Sequence, residues 1–346
     1  MVSSIKSVDL SGRRVLIRAD FNVPFSDGRI SEKTRIIESL QTIRYALQQG
    51  AGVILCSHLG RPEEGVFDSE FSLQPVADEL SKQLALSVSL IRDWNEQPPV
   101  KPGQVVLWEN VRFNTGEMRN CDKLGQMMAQ HADVFVLDAF ASAHREHAST
   151  VAVVQAVPYA CVGLLLEREL SALRVAFEQP KRPLVAVVGG AKISTKIQLL
   201  EALLDQVDVL IVGGGIANTF LKAAGYVVGG SLVEDSCIEL AQRLMKQAQE
   251  KGVVLPLPKD VYTAGAFSAD EKPRYRTVDA VAENEMILDV GELTTKQYTQ
   301  LIQSAGTTIW NGPIGVFEFP AFAAGTRAIG EAIAESACYS VAGGGD

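Results

Sequence analysis

Short runs of Val, Ile and Leu recur along this chain with no polar alternation. They are Val15–Ile17, Gly52–Cys56, Val105–Trp108, Val134–Leu137, Leu184–Val188, Val209–Val212, Thr307–Trp310 and Tyr339–Val341. A strand that is apolar at every position has both faces buried, which parallel sheets achieve by covering each face with crossover helices. Helical periodicity fills the gaps, over Thr34–Gln49, Leu73–Leu84, Ser194–Leu204, Asp235–Lys251 and Thr295–Ala305. The alternation predicts an α/β chain of doubly wound parallel sheets, Rossmann-like in architecture. At 346 residues the chain can bury two cores. Leu164–Pro183 reads as an amphipathic helix ending in a Pro/Lys/Arg-rich linker, and a fresh buried strand starts at Leu184. The expected organisation is a first domain over 1–165, a hinge helix and linker over 166–183, and a second domain over 184–346.

Composition narrows the function classes. A net charge of −9 argues against nucleic acid or an anionic membrane as partner. The opening MVSSIKSVDLSGRR has no apolar signal region and no stretch is long enough to span a bilayer, so a cytoplasmic protein is expected. Cys56, Cys121, Cys161, Cys237 and Cys338 are scattered without a C-x-x-C pair, which reads as free thiols rather than a zinc or redox site.

In open α/β sheets, ligands sit at the carboxyl ends of the strands. In the first half those ends deliver Asp20 and Asn22, then His58 and Arg61, then Arg112, then Arg145, while Arg35 opens the first long helix. Guanidinium groups bind carboxylate and phosphate through paired hydrogen bonds, so this cluster suits a small multiply charged anion. Asp20 and Asn22 fit hydroxyl groups on that anion. His144 and His147 are spaced for a metal, but Arg145 between them would repel a cation. His131 reads as a surface residue of an amphipathic helix.

In the second half, Leu184–Val188 runs into Gly189-Gly190-Ala191-Lys192, with Lys196 four residues further on. Backbone N–H groups at a helix start favour phosphate, and i, i+4 spacing would point both lysines the same way. Gly213-Gly214-Gly215 suits either a flat base or a packing turn. Asn311, Pro313, Val316 and Glu318 follow a later strand, with Glu318 a candidate for ribose hydroxyls. Gly343, Gly344 and Gly345 form a glycine nest for phosphate, and Asp346 beside it could hold Mg²⁺. Neither the P-loop pattern nor G-x-G-x-x-G is matched, which disfavours a P-loop enzyme and a nicotinamide-linked dehydrogenase.

The segments RADFNVP, SHLGRP, ENVRF, DAFASAHR, GGAKISTK, GGGIANTF, WNGPIGVFEF and AGGGD resemble, in order, the signatures of the phosphoglycerate kinase family. The resemblance implies that Asp20, Asn22, Arg35, His58, Arg61, Arg112 and Arg145 bind 3-phosphoglycerate or its 1-phosphorylated form. It implies that Lys192 and Lys196 meet the transferring phosphoryl and the nucleotide phosphates. Gly214, Gly215, Asn311, Pro313, Val316 and Glu318 would form the adenosine site, with Gly343, Gly344, Gly345 and Asp346 as phosphate loop and Mg²⁺ contact. The implied reaction is direct phosphoryl transfer between 1,3-bisphosphoglycerate and ADP, with Mg²⁺ bound to ADP or ATP. Arg35, Lys192 and Gly345 would be catalytic, hinge closure would join the half-sites, and the enzyme would be a monomer. Ala141-Ser142 departs from the Gly-Thr usual in the family, and matters only if position 141 needs positive φ. Family members continue past the residue matching Asp346, so a further C-terminal segment is also expected.

Overall fold

The structure is a computed structural model that describes residues 3–26, 28–94 and 99–344. Contacts divide the chain into two compact units, Met1–Ser171 and Ala172–Asp346.

The first unit is built on six parallel strands: β1 (Arg14–Ala19), β2 (Gly52–Cys56), β3 (Val88–Ile91), β4 (Val105–Trp108), β5 (Val134–Asp138) and β6 (Tyr159–Val162). Their order is β3-β4-β2-β1-β5-β6, with Arg14 opposite Gly52 and Val15 opposite Val134. Successive residues of β1 face opposite sides. Val15 and Ile17 pack with Ile36, Leu40 and Ile43 of α1 (Thr34–Gln48). Leu16 joins Trp94, Trp108, Phe135 and Met128 of α3 (Asp122–Ala129) on the other side. Trp94 and Trp108 stack with centroids 4.4 Å apart, and His131 meets Trp108 edge-on just beyond α3. His131 is thus half-buried rather than on a helix surface. The Glu109 carboxylate, at the end of β4, accepts from Ser72 Oγ and from Leu73 N, which fixes the start of α2 (Gln74–Leu84). The order reverses beside β1, the place where open α/β sheets take their ligands. β3 and β6 were not expected from sequence. Both are edge strands, and their partly exposed residues weaken the apolar signal. Helix α4 (Leu164–Glu178) starts where Asp138 Oδ1 accepts from Leu166 N, and it runs across the unit boundary.

The second unit carries a parallel sheet of β7 (Leu184–Val188), β8 (Val209–Val212), β12 (Thr307–Asn311) and β13 (Tyr339–Gly343), in the order β8-β7-β12-β13. Leu184, Ala186 and Val188 face Leu200 of α5 (Ile197–Leu204), Phe220 of α6 (Gly214–Ala223) and Leu244 of α7 (Ile238–Glu250). Val185 and Val187 face Tyr298 of α8 (Glu292–Gln303) and Ile329 of α9 (Ala324–Glu335). A separate antiparallel sheet of β9 (Asp260–Ala264), β10 (Arg274–Thr277) and β11 (Met286–Val290), in the order β10-β9-β11, was also not anticipated. β10 is largely exposed, so no run of apolar residues marks it. Among the described residues no helix is long and apolar enough to cross a membrane.

Three strand-end turns of this unit pack backbone against backbone. A Cβ on Gly189 would lie 1.7 Å from the Pro313 carbonyl oxygen, and one on Gly215 would lie 2.2 Å from that of Ala191. At both positions space alone demands glycine. Gly189→Ala should therefore destabilise the fold by about 3 kcal/mol, because backbone rather than a mobile side chain must move. Equilibrium urea unfolding checks this, and a wild-type midpoint would show that the turn can shift cheaply.

Candidate functional site

In the first unit, cationic side chains converge at the ends of β1, β2 and β4. Arg18 is only 1% exposed although it lies within a strand. Its Nε donates to Ser149 Oγ (3.1 Å), one terminal nitrogen to Ala19 O (2.5 Å) and the other to His58 Nδ1 (3.1 Å). Arg112 is buried on the turn Val111–Phe113, which Asn110 caps by accepting from Arg112 N. Asn110 also donates to Leu59 O (2.7 Å) and Phe71 O (3.0 Å), tying this turn to the segment after β2. Arg112 donates to Gly60 O through one terminal nitrogen, while its buried Nε has no hydrogen-bond partner.

The electrostatics follow from this crowding. Burial, with Arg145, Arg18 and Arg61 nearby, pulls Arg112 down to about 10. Burial also pushes His58 down to about 2, reinforced by Arg18, Arg112, Arg145 and His147. The ring is therefore neutral at working pH. Glu117, fully buried, accepts from Ser149 Oγ (2.5 Å) and Ser149 N (3.0 Å), with His147 Nδ1 at 3.8 Å. Burial raises its affinity for a proton, while Ser149, Arg18 and Arg112 oppose that.

The predicted residues fall into linked groups. Arg35 pairs with Asp20 (2.8 Å), Asp20 accepts from Asn22 N (3.1 Å), and Asn22 Oδ1 accepts from Gly60 N (2.8 Å). Arg112 and Arg145 act on the charge of His58, and Arg145 and Arg61 on that of Arg112. Ala141 lies in the helical turn Phe140–Ala143, and among the described residues the positive-φ non-glycine ones are Ala85 and Asn120, so its Cβ carries no strain. His144 is exposed while His147 faces Glu117, which does not make a metal pair. Sequence reasoning did not assign Arg18, Glu117 or Ser149 to the site. Arg18 was detectable as the one charge inside an apolar strand that continues to Ala19; the other two carry no local mark.

The second unit opens two adjoining clefts. One, of about 230 Å³, is lined by Gly214, Gly215, Leu232, Met286, Leu288 and Val316 among others. The other, of about 600 Å³, is lined by Lys196, Trp310, Asn311, Gly312, Gly343 and Gly344 among others, and Gly190, Pro313 and Glu318 border both. The two lysines do not share a helical face. Ser194–Lys196 is a 3-10 turn, and α5 begins only at Ile197. Lys196 folds back so that Nζ donates to Gly189 O (2.6 Å), Asn311 O (3.2 Å) and Asn311 Oδ1 (2.5 Å), and burial lowers its pKa. Lys192 stays exposed on the turn, near Glu234, whose carboxylate accepts from Ser194 Oγ and Ser194 N. Gly214 opens α6 with φ +64°, so the triple glycine is a strand-to-helix turn as well as a cleft wall. Gly345 and Asp346 lie outside the described residues. Among the described residues no group of three His, Cys, Asp or Glu could hold a metal ion.

The depressed His58 gives a signed pH dependence. The unfolded ring takes a proton below 6.5, whereas the folded ring stays neutral down to about 2. Its contribution is complete above the unfolded value and is lost as pH falls through that window. At about pH 4.5 the loss is about 3 kcal/mol. His58→Gln should lose correspondingly less stability between about pH 7 and 4.5; equal acid sensitivity in urea titrations would refute this.

The family model described as phosphoglycerate kinase matches residues 5–346. A phosphoglycerate kinase of Coxiella burnetii is 54% identical over 342 residues, spanning 99% of this chain and 88% of that protein. One from Francisella tularensis subsp. novicida is 50% identical over 343 residues, with the same shares covered. The solved structure of phosphoglycerate kinase from Coxiella burnetii superposes with a TM-score of 0.90 at 53% identity, covering 100% of this chain and 89% of that one. The crystal structure of phosphoglycerate kinase from Pyrococcus horikoshii OT3 gives 0.85 at 27% identity, covering 99% and 88%.

Proposed function

The chain belongs to the phosphoglycerate kinase family of glycolytic kinases, and from that premise we propose that it transfers phosphoryl between 1,3-bisphosphoglycerate and ADP, giving 3-phosphoglycerate and ATP. Arg112 carries the reading: a buried guanidinium with an unpartnered Nε, crowded by Arg145, Arg18 and Arg61, calls for a multiply charged anion. A carboxylate–phosphate substrate meets that need.

Asp20, Asn22, Arg35, His58, Arg61, Arg112 and Arg145 bind and orient the phosphoglycerate. The apolar cleft takes adenine, with Gly214, Gly215, Pro313 and Val316 as walls, and Glu318 at its edge takes ribose hydroxyls. The polar cleft, lined by Lys196, Asn311, Gly343 and Gly344, takes the nucleotide phosphates, and Gly345 joins them in this reading. Magnesium carried by the nucleotide would supply charge neutralisation at the phosphates. Asp346 is its protein ligand in this reading.

No covalent enzyme intermediate is needed. The carboxylate of 3-phosphoglycerate and the terminal oxygen of ADP lie in line with the transferring group, and catalysis is positioning plus neutralisation of its equatorial oxygens. Arg35, Lys192 and the Gly345 N–H supply that neutralisation. Acceptor and nucleotide bind to different units, so transfer requires hinge closure, with α4 as hinge, and closure expels water. The same reading makes the enzyme a cytoplasmic monomer without nucleic-acid or membrane partners; a net charge of −9 supports the last point.

Arg35→Ala and Lys192→Ala should each lower kcat by on the order of a hundred- to a thousandfold. Both side chains are at least partly exposed, so stability should change by less than about 1 kcal/mol. A coupled assay of ATP formation, with unfolding curves alongside, checks both; folded variants with ordinary turnover would sink the assignment.

A further inference from the structure

Arg18 cannot accept a hydrogen bond, because every polar hydrogen on a guanidinium donates. The direction of the buried chain around it follows. Ser149 Oγ must accept from Arg18 Nε, so its own hydrogen goes to Glu117 Oε1, 2.5 Å away. The other Glu117 oxygen takes Ser149 N–H, which pins that residue at both backbone and hydroxyl. At the far end Arg18 donates to His58 Nδ1, so Nδ1 is the bare nitrogen and the ring hydrogen sits on Nε2. Glu117, Ser149, Arg18 and His58 are each at most 5% exposed, so water does not compete along the chain. Ser149 sits in a five-residue π-helical stretch, Ala148–Ala152, a rare conformation often found at functional sites.

We propose that Glu117 is a positioning residue for the phosphoglycerate cradle, holding Arg18 through Ser149 and thereby fixing His58 as a neutral Nε2–H donor. The proposal rests on the reading of this cradle as the phosphoglycerate site. Glu117 touches no substrate in this scheme. It acts by accepting two hydrogen bonds from one residue, which an amide cannot do in the same geometry, because one of its two positions is itself a donor. Glu117→Gln must therefore either release the Ser149 N–H or turn the hydroxyl hydrogen away, and both loosen the oxygen that accepts from Arg18 Nε. Ser149→Ala removes that oxygen outright, and His58 then loses the anchored donor that selects its tautomer.

Two measurements test this. In the ¹⁵N-labelled wild type, without substrate, His58 Nε2 should resonate as a protonated ring nitrogen and Nδ1 as a bare one at neutral pH. Comparison with His58→Gln assigns the signals among the four histidines. In steady-state kinetics, Glu117→Gln and Ser149→Ala should each raise KM for 3-phosphoglycerate about tenfold and leave KM for ATP unchanged. Both should also shift the His58 ring signals. A wild-type ring protonated on Nδ1, or on both nitrogens, overturns the proposal. So does a folded Glu117→Gln or Ser149→Ala with wild-type KM and ring signals, or one that weakens both substrates equally. If Glu117→Gln does not fold, Ser149→Ala and the wild-type spectrum still decide. Absence of kinase activity in the wild type would refute the functional reading, while the ring signals would still test the chain of hydrogen bonds.

Discussion

A guanidinium stays protonated in a protein, so a fold that buries one must find acceptors for it or leave a charge in low dielectric. The first unit buries two, Arg18 and Arg112, and solves the problem differently for each. Arg18 has an acceptor for every nitrogen, ending at the Glu117 carboxylate through Ser149. Arg112 has Gly60 O, but its Nε is unpartnered and its nearest charged neighbours are mostly cationic. One arginine is saturated within the scaffold, and the other keeps an unpartnered buried nitrogen. The turn at Asn110, the segment after β2 and the loop carrying Glu117 are all arranged around this pair.

Much of this was legible in the sequence because apolar runs have few alternatives. Gly52–Cys56, Val105–Trp108, Leu184–Val188 and Val209–Val212 are strands with the bounds the sequence implies, since each is buried on both faces. Edge strands escaped, because Val88–Ile91 and Tyr159–Val162 mix exposed and buried positions. The antiparallel sheet escaped because β10 is largely exposed and buried β9 interrupts its apolar residues with Asp260 and Thr263. His58, Arg112 and Arg145 could be singled out because each lies within eight residues of the end of an apolar run. Glu117 lies on a loop and Ser149 in a π-helical stretch 32 residues later, and only the folded chain brings them together.

The second unit shows a limit of periodicity. Lys192 and Lys196 are spaced for one helical face, yet the backbone between them is a 3-10 turn. The reason lies in the strand ends. Gly189 O and Asn311 Oδ1 face the same point, and Lys196 Nζ donates to both, adding a longer bond to Asn311 O, which already accepts from Gly189 N. That tertiary demand outweighs local helical preference. It also leaves Lys196 clamping β7 to β12 at the place where the strand order reverses, with Lys192 free to extend into solvent.

The tryptophans carry an optical consequence. Trp94 and Trp108 stack against each other inside the first unit, out of reach of solvent, whereas Trp310 lines the polar cleft of the second and donates its indole hydrogen to Gly312 O. With three tryptophans in the chain, emission divides cleanly between a buried stacked pair and a single reporter fastened to the cleft's own turn. The two kinds of indole thus sit in different surroundings, one pair sealed in the first core and one ring on the wall of the second unit's cleft.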